Sequence, residues 1–86
     1  MTTEAMLIQI LEKVIGVRHL SRDARFVDIG GNSLNLFEVL KQIKDQTGVA
    51  LAPRMFFDKS QSTAAAISAA IDAQREDRRL TVSVAD

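Results

Sequence analysis

The chain has 86 residues, eleven Lys and Arg against eleven Asp and Glu, one His, four Phe, and no Cys, Trp or Tyr. That length supports one small domain whose single core buries about 60 to 65 per cent of the unfolded surface, with no deep active-site cavern. The zero formal charge and missing Tyr and Trp argue against nucleic-acid binding, His19 alone cannot build a zinc site, and disulfides are excluded. No positive n-region precedes Lys13 and no apolar run approaches the roughly 18 residues of a membrane span, so a cytoplasmic protein without membrane partners is expected.

The first predicted helix spans Glu4 to Ile15, because Leu7, Ile8, Leu11, Val14 and Ile15 fall within one helical arc. Thr3 is placed to cap it, Glu4 lies in the first turn where the helix dipole favours an anion, and Gly16 ends it. From Val17 to Asn32 no period is sustained, and Leu20, Phe26, Val27 and Ile29 pin what reads as a long ordered loop. Such a connection is often functional. The second predicted helix runs from Ser33 to about Thr47, stopped by Gly48. Its core arc is Leu36, Phe37, Leu40 and Ile43, and the opposite arc holds Leu34, Glu38, Lys41 and Asp45, which leaves Leu34 as the one large apolar side chain on the polar face.

Pro53 suits the first position of a short third helix over Arg54 to Asp58. Ser62 or Thr63 caps an Ala-rich fourth helix that reaches about Glu76, with Ile67, Ala70, Ile71 and Gln74 on one face. From Arg78 the sequence alternates weakly, and 78–86 reads as a flexible, frayed tail after a domain over 1–77. The expectation is an all-α bundle of three longer helices and one short one, with a long loop between the first two.

The loop joins the second helix through Asp28-Ile29-Gly30-Gly31-Asn32-Ser33-Leu34. Two adjacent glycines open backbone angles closed to other residues and keep the space above the helix start free of side chains. Asn32 is a good cap, which puts Ser33 in the first turn with its hydroxyl outward, where unpaired amides and a partial positive charge would stabilise a phosphate. As an isolated tetrapeptide, Gly-Gly-Asn-Ser is also an ordinary turn and cap. The wider stretch from Phe26 to Leu34, followed by an amphipathic helix and Thr47-Gly48-Val49, resembles the attachment-site signature of carrier proteins. It is most similar to the peptidyl carrier (thiolation) domains of nonribosomal peptide synthetases. The resemblance covers residues 4 to 75 and extends to Met55-Phe56-Phe57-Asp58, similar to the family's short third helix, and to Ser62-Thr63 with Ala65-Ala66-Ile67, similar to the start of its fourth.

The resemblance implies that Ser33, flanked by Gly30, Gly31 and Asn32, receives 4'-phosphopantetheine from coenzyme A through a phosphopantetheinyl transferase, which uses magnesium on its own side. The arm's thiol then holds an aminoacyl, peptidyl or acyl group as a thioester. It further implies an adenylation enzyme or acyltransferase as loading partner, condensation or tailoring enzymes as recipients, no catalysis or resident metal in the chain itself, and a monomer. Leu34 would contact the transferase and partner enzymes, with Met55 and Phe56 completing the patch or packing in the core. Asn32 stands where fatty-acid carriers have Asp, and Lys41 and Lys44 balance Glu38 and Asp45, which favours the peptidyl branch. The proline that many peptidyl carriers place before their fourth helix is absent from Asp58-Lys59-Ser60-Gln61-Ser62-Thr63. Met1 and the single domain suggest a freestanding carrier, although an excised domain would read the same way.

His19 has no second His, no Cys and no catalytic carboxylate pattern, so it reads as structural or solvated, and a Ser33/His19 hydrolase lacks the G-x-S-x-G elbow and a third member. The Arg75 to Arg79 cluster is mixed in sign and reads as a solvated helix end. Two alternatives accompany the peptidyl carrier: an acyl carrier for polyketide or fatty-acid enzymes, and an unmodified helical interaction module in which Ser33 only caps.

Overall fold

A computed structural model describes the backbone of residues 2–85 and the side chains of residues 2–76. Three α-helices and one 3₁₀ helix follow in chain order: α1 (Thr3–Ile15), α2 (Ser33–Thr47), η1 (Pro53–Phe57) and α3 (Ala64–Ala85). Among the described residues the only sheet-like pairing is an isolated antiparallel bridge between Arg25 and Thr63. The architecture is the expected all-α bundle.

Thr2, one residue before the expected cap, receives the Ala5 amide at 3.1 Å on its hydroxyl. This frees the Thr3 hydroxyl to donate to Asp72 Oδ1 of α3 at 2.6 Å. Gly16 ends α1 in the left-handed conformation at φ 85° and donates to the Glu12 carbonyl, so that turn needs a glycine. Leu7, Ile10 and Leu11 are buried, while Ile8, Val14 and Ile15 pack half-buried around them.

Helix α2 begins with a reciprocal cap: the Asn32 side chain accepts the Asn35 amide at 2.9 Å, and the Asn35 side chain accepts the Asn32 amide at 3.3 Å. Its buried stripe is Leu36, Val39 and Ile43, with Leu40 half-buried. The expected core position of Phe37 is corrected, because its ring is 73 % exposed. Phe37 lies about 100° around the helix from Leu36, on the side away from Val39, so the stripe rotates past it.

In η1, Pro53 takes the first position as expected, but the turn is 3₁₀ and covers Pro53–Phe57. Thr63 caps α3, its hydroxyl accepting the Ala66 amide at 3.1 Å. Ala64, Ile67, Ser68 and Ile71 face the core, whereas Gln74 is exposed. The α3 backbone does not stop near Glu76 but is helical through Ala85. The side chains of 77–86 lie outside the described residues.

Helix α1 packs against both α2 and α3, and α2 packs against η1. The loop from α1 to α2 completes the core with Phe26, a fully buried ring that meets Phe56 edge-on at 5.3 Å and Phe57 at 6.2 Å. Backbone bonds tie this loop to the start of α3: Phe26 N–H donates to the Ser62 carbonyl at 3.0 Å, and Ala65 N–H to the Arg22 carbonyl at 3.0 Å. The Arg22 guanidinium also grips the Glu4 carboxylate through two bonds of 2.9 and 3.1 Å. The long connection is therefore ordered by partners in α1 and at the start of α3, without a helix of its own.

Candidate functional site

The approach to α2 is a series of tight turns. Asp28 and Ile29 donate to the Arg25 carbonyl, Gly30 to that of Val27, and Gly31 to that of Phe26 at 3.0 Å. Gly30 sits at φ 93°, which strains any residue with a side chain. Gly31 answers a different need: a Cβ there would stand 2.5 Å from two carbons of the Phe26 ring. The ring is thus the floor of the corner, and the absence of a side chain at 31 lets the backbone lie directly on it.

Asn32 then fixes the first turn of α2 with Ser33 as its first residue, exposed to solvent. The Ser33 hydroxyl has no hydrogen-bond partner among the described residues. The amides of Ser33 and Leu34 precede the first intrahelical bond, so they too point outward unpaired. Leu34 is 80 % exposed, in keeping with its place on the polar arc.

Beside Ser33 opens a cleft of about 290 Å³ between α2 and η1, lined by Ser33, Leu36, Phe37, Leu40, Pro53 and Phe57. None of these side chains ionises, so the cleft holds no acid or base to do chemistry. Met55 is half-buried and faces a separate hollow of about 600 Å³ bounded by Arg54, Asp58, Gln61 and Gln74. Phe56, expected as a candidate partner contact, is fully buried against Phe26 and presents nothing to the surface. Its neighbour Phe57 is 49 % exposed. The structure therefore brings Gly30, Gly31, Asn32, Ser33 and Leu34 together at one corner, and adds Phe37 and Phe57, which the helical periodicity assigned to the core or passed over.

Charges near this surface are paired or solvated. The Asp58 carboxyl is held below the usual carboxylate range by hydrogen bonds from the Ser60 hydroxyl at 2.7 Å and the Ser60 amide at 2.8 Å. Away from the corner, the bond and attraction to Glu4 push the Arg22 guanidinium up from its ordinary value. His19 is exposed with φ 57° and belongs to no cluster. Among the described residues, no group of three or more His, Cys, Asp or Glu could hold a metal ion, and no helix is long and apolar enough to cross a membrane.

An accessible, unpartnered hydroxyl at a helix start, set above glycines and beside an apolar cleft, suits covalent attachment of a phosphate-linked group better than catalysis. Part of the hybrid PKS-NRPS synthetase mycA of Thermothelomyces thermophilus is 37 % identical over 62 residues, covering 72 % of this chain, while the chain spans 2 % of that protein's length. The fold is similar to a chain from the structure of the phosphopantetheine transferase Sfp in complex with coenzyme A and a peptidyl carrier protein. The TM-score is 0.77 at 26 % identity, with 85 % of this chain and 92 % of that one covered. Residues 6–71 match the family described as the phosphopantetheine attachment site. The chain thus belongs to that family, as a non-catalytic carrier protein for 4'-phosphopantetheine.

Proposed function

We propose that Ser33 is the attachment residue and that the chain carries an aminoacyl, peptidyl or acyl group as a thioester in nonribosomal peptide or hybrid natural-product assembly. The observation that carries this reading is the exposed, unpartnered Ser33 hydroxyl at the start of α2, inside the span that matches the family. A phosphopantetheinyl transferase is the first partner, as in the similar structure, where one is bound to a peptidyl carrier protein. The balanced charge of α2 and Asn32 before Ser33 support the peptidyl branch. The likeness to a hybrid synthetase keeps an acyl carrier for polyketide enzymes as the second reading.

Each residue of the corner has a task in this proposal. Ser33 Oγ is the nucleophile toward coenzyme A: an O–P bond forms, the pyrophosphate bond breaks, 3',5'-ADP leaves, and the hydroxyl proton passes to the transferase. Gly30 permits the left-handed turn and Gly31 lets the backbone lie on the Phe26 ring, so the corner can form, and Asn32 fixes the helix start so that the hydroxyl faces outward. The unpaired first-turn amides and the helix dipole stabilise the resulting phosphodiester anion by about 0.3 to 1 kcal/mol. The arm, once attached, supplies a thiol that a chain without cysteine lacks. Leu34 and Met55, with Phe57 in place of Phe56, form the surface offered to partner enzymes.

Intact-protein mass spectrometry before and after incubation with a promiscuous transferase, magnesium and coenzyme A tests the reading. Wild type gains one phosphopantetheine mass, while Ser33→Ala gains none and keeps its helical circular dichroism. Equal mass gain in both proteins would move the attachment elsewhere. Offering the holo protein to adenylation enzymes with amino or aryl acids, and to acyltransferases with malonyl units, separates the two branches.

A further inference from the structure

The charges on the outer face of α2 are sorted. Glu38, Lys41, Lys44 and Asp45 are all exposed. At about 100° per residue, Lys41 and Lys44 fall within about 40° of Phe37, inside the arc bounded by Ser33 and Leu34. Glu38 and Asp45 lie about 80 to 100° from Phe37, on the flank away from Leu36 and Leu40, which line the cleft toward η1. Glu38 accepts the Gln42 side-chain amide at 3.2 Å, whereas neither ammonium group has a hydrogen bond or ion pair among the described residues. Lys44 stands in the last turn of α2, where a cation suits the helix dipole, but Lys41 is too far from that end to serve it. From Ser33 outward the stripe therefore reads Leu34 and Phe37, both exposed and apolar, then two unpaired cations.

We propose that Lys41 and Lys44 steer the phosphopantetheinyl transferase, whose docking surface sets apolar groups over Leu34 and Phe37 and carboxylates over the two ammonium groups. The inference rests on Ser33 as the attachment residue. The transferase is the occupant because its own catalytic centre must come within bonding reach of the Ser33 hydroxyl, whereas an enzyme that uses the finished arm acts at the arm's far end. At about 1.5 Å per residue, Lys41 and Lys44 stand about 12 and 16 Å along the helix from Ser33. A standard interface covers about 800 Å² of each partner, a patch roughly 30 Å across, so one seated on Ser33 takes in Lys41 and reaches Lys44. Cations at that rim raise the rate of encounter with an acidic surface and repel a basic one, while Leu34 and Phe37 supply the apolar contact.

Stopped-time mass assays on the full chain with magnesium, coenzyme A and Sfp, the transferase of the similar complex, give kcat/KM for each variant, and circular dichroism checks the fold. Lys41→Glu is expected to lower kcat/KM about three- to tenfold at low salt with kcat nearly unchanged. Lys41→Gln, which only removes the charge, lowers it by a smaller factor. Arg75→Glu makes the same change in net charge at an exposed site on α3. It lies three residues beyond Asp72, whose partner Thr3 is at the opposite end of α1 from Val14, the residue reached by Asn35 of α2. Its rate should stay within about twofold of wild type, because salt screens charges so far from the stripe. Raising salt to about 0.5 M is expected to slow wild type and to leave Lys41→Glu unaffected or faster. Lys41→Glu and Lys41→Gln modified at the wild-type rate, or slowed no more than Arg75→Glu, would overturn the steering. Lys41→Glu modified faster than wild type at low salt would overturn it in favour of a cationic transferase surface. Absence of any mass gain in wild type would instead overturn the attachment at Ser33, so the two failures are distinguishable.

Discussion

A methyl group on Gly31 would meet the Phe26 ring at 2.5 Å, and that ring is fully buried and already packed edge-on against Phe56 and Phe57. Gly31→Ala is accordingly expected to destabilise the fold by about 1 to 3 kcal/mol, the usual range for overpacking, as read from the midpoint of urea unfolding. An unchanged midpoint would mean that the corner relaxes around the added carbon. Ser62 presents the opposite case. Its hydroxyl is buried without a partner, while its carbonyl accepts the Phe26 amide. Ser62→Ala removes the stranded hydroxyl and keeps the carbonyl, so it should stabilise by about 1 kcal/mol. In a domain of this size that raises Tm by about 4 to 8 °C, and a fall on calorimetry would show that the hydroxyl has a role in holding the fold. The glycine pair was legible as a corner from sequence, but its contact with Phe26 was not, since the two meet only when the loop closes over the core.

At the scale of the element, the starts and stops that depend on local chemistry were the most legible. Asn32, Gly16, Gly48 and Pro53 act where their own backbone preferences place them. The position of Phe37 was not, because periodicity along α2 cannot separate the edge of a buried arc from its centre without knowing where α1 and η1 lie. Phe56 and Phe57 posed the same difficulty in a five-residue turn too short to show a period. Nothing after Glu76 resembles a stop: no glycine or proline follows, which is consistent with the α3 backbone continuing to Ala85. Leu34, exposed on the first turn of α2, belongs to the proposed docking surface and adds little to the core. Leu34→Ala is expected to change unfolding free energy by less than about 0.5 kcal/mol, as usual for exposed sites. It should nevertheless slow modification by the transferase or transfer to a partner enzyme in stopped-time mass assays. Unchanged rates with every partner tried would remove Leu34 from the docking surface.

For the whole molecule, one loop residue links several elements at once. Phe26 touches both phenylalanines of η1, underlies Gly31, and hydrogen-bonds the residue before the α3 cap. Phe26→Ala is expected to cost about 3 to 5 kcal/mol, against a typical total of 5 to 15 for a folded domain. Its unfolding midpoint in urea should fall steeply, and a small shift would mean that the helices hold together without the ring. That all-α bundle and its corner could be read from helix faces, caps and the resemblance around Ser33. The central position of Phe26 could not, because it depends on contacts between segments far apart in sequence. The two backbone bonds that cross from this loop to the start of α3, from Phe26 to Ser62 and from Ala65 to Arg22, have a mechanical meaning. They act as a clasp closed over the chain's middle, tying the loop that leads to Ser33 to the last helix. Under the proposed attachment, a group hung from Ser33 would swing on a stiff mount, and its handover would not require prising the mount open.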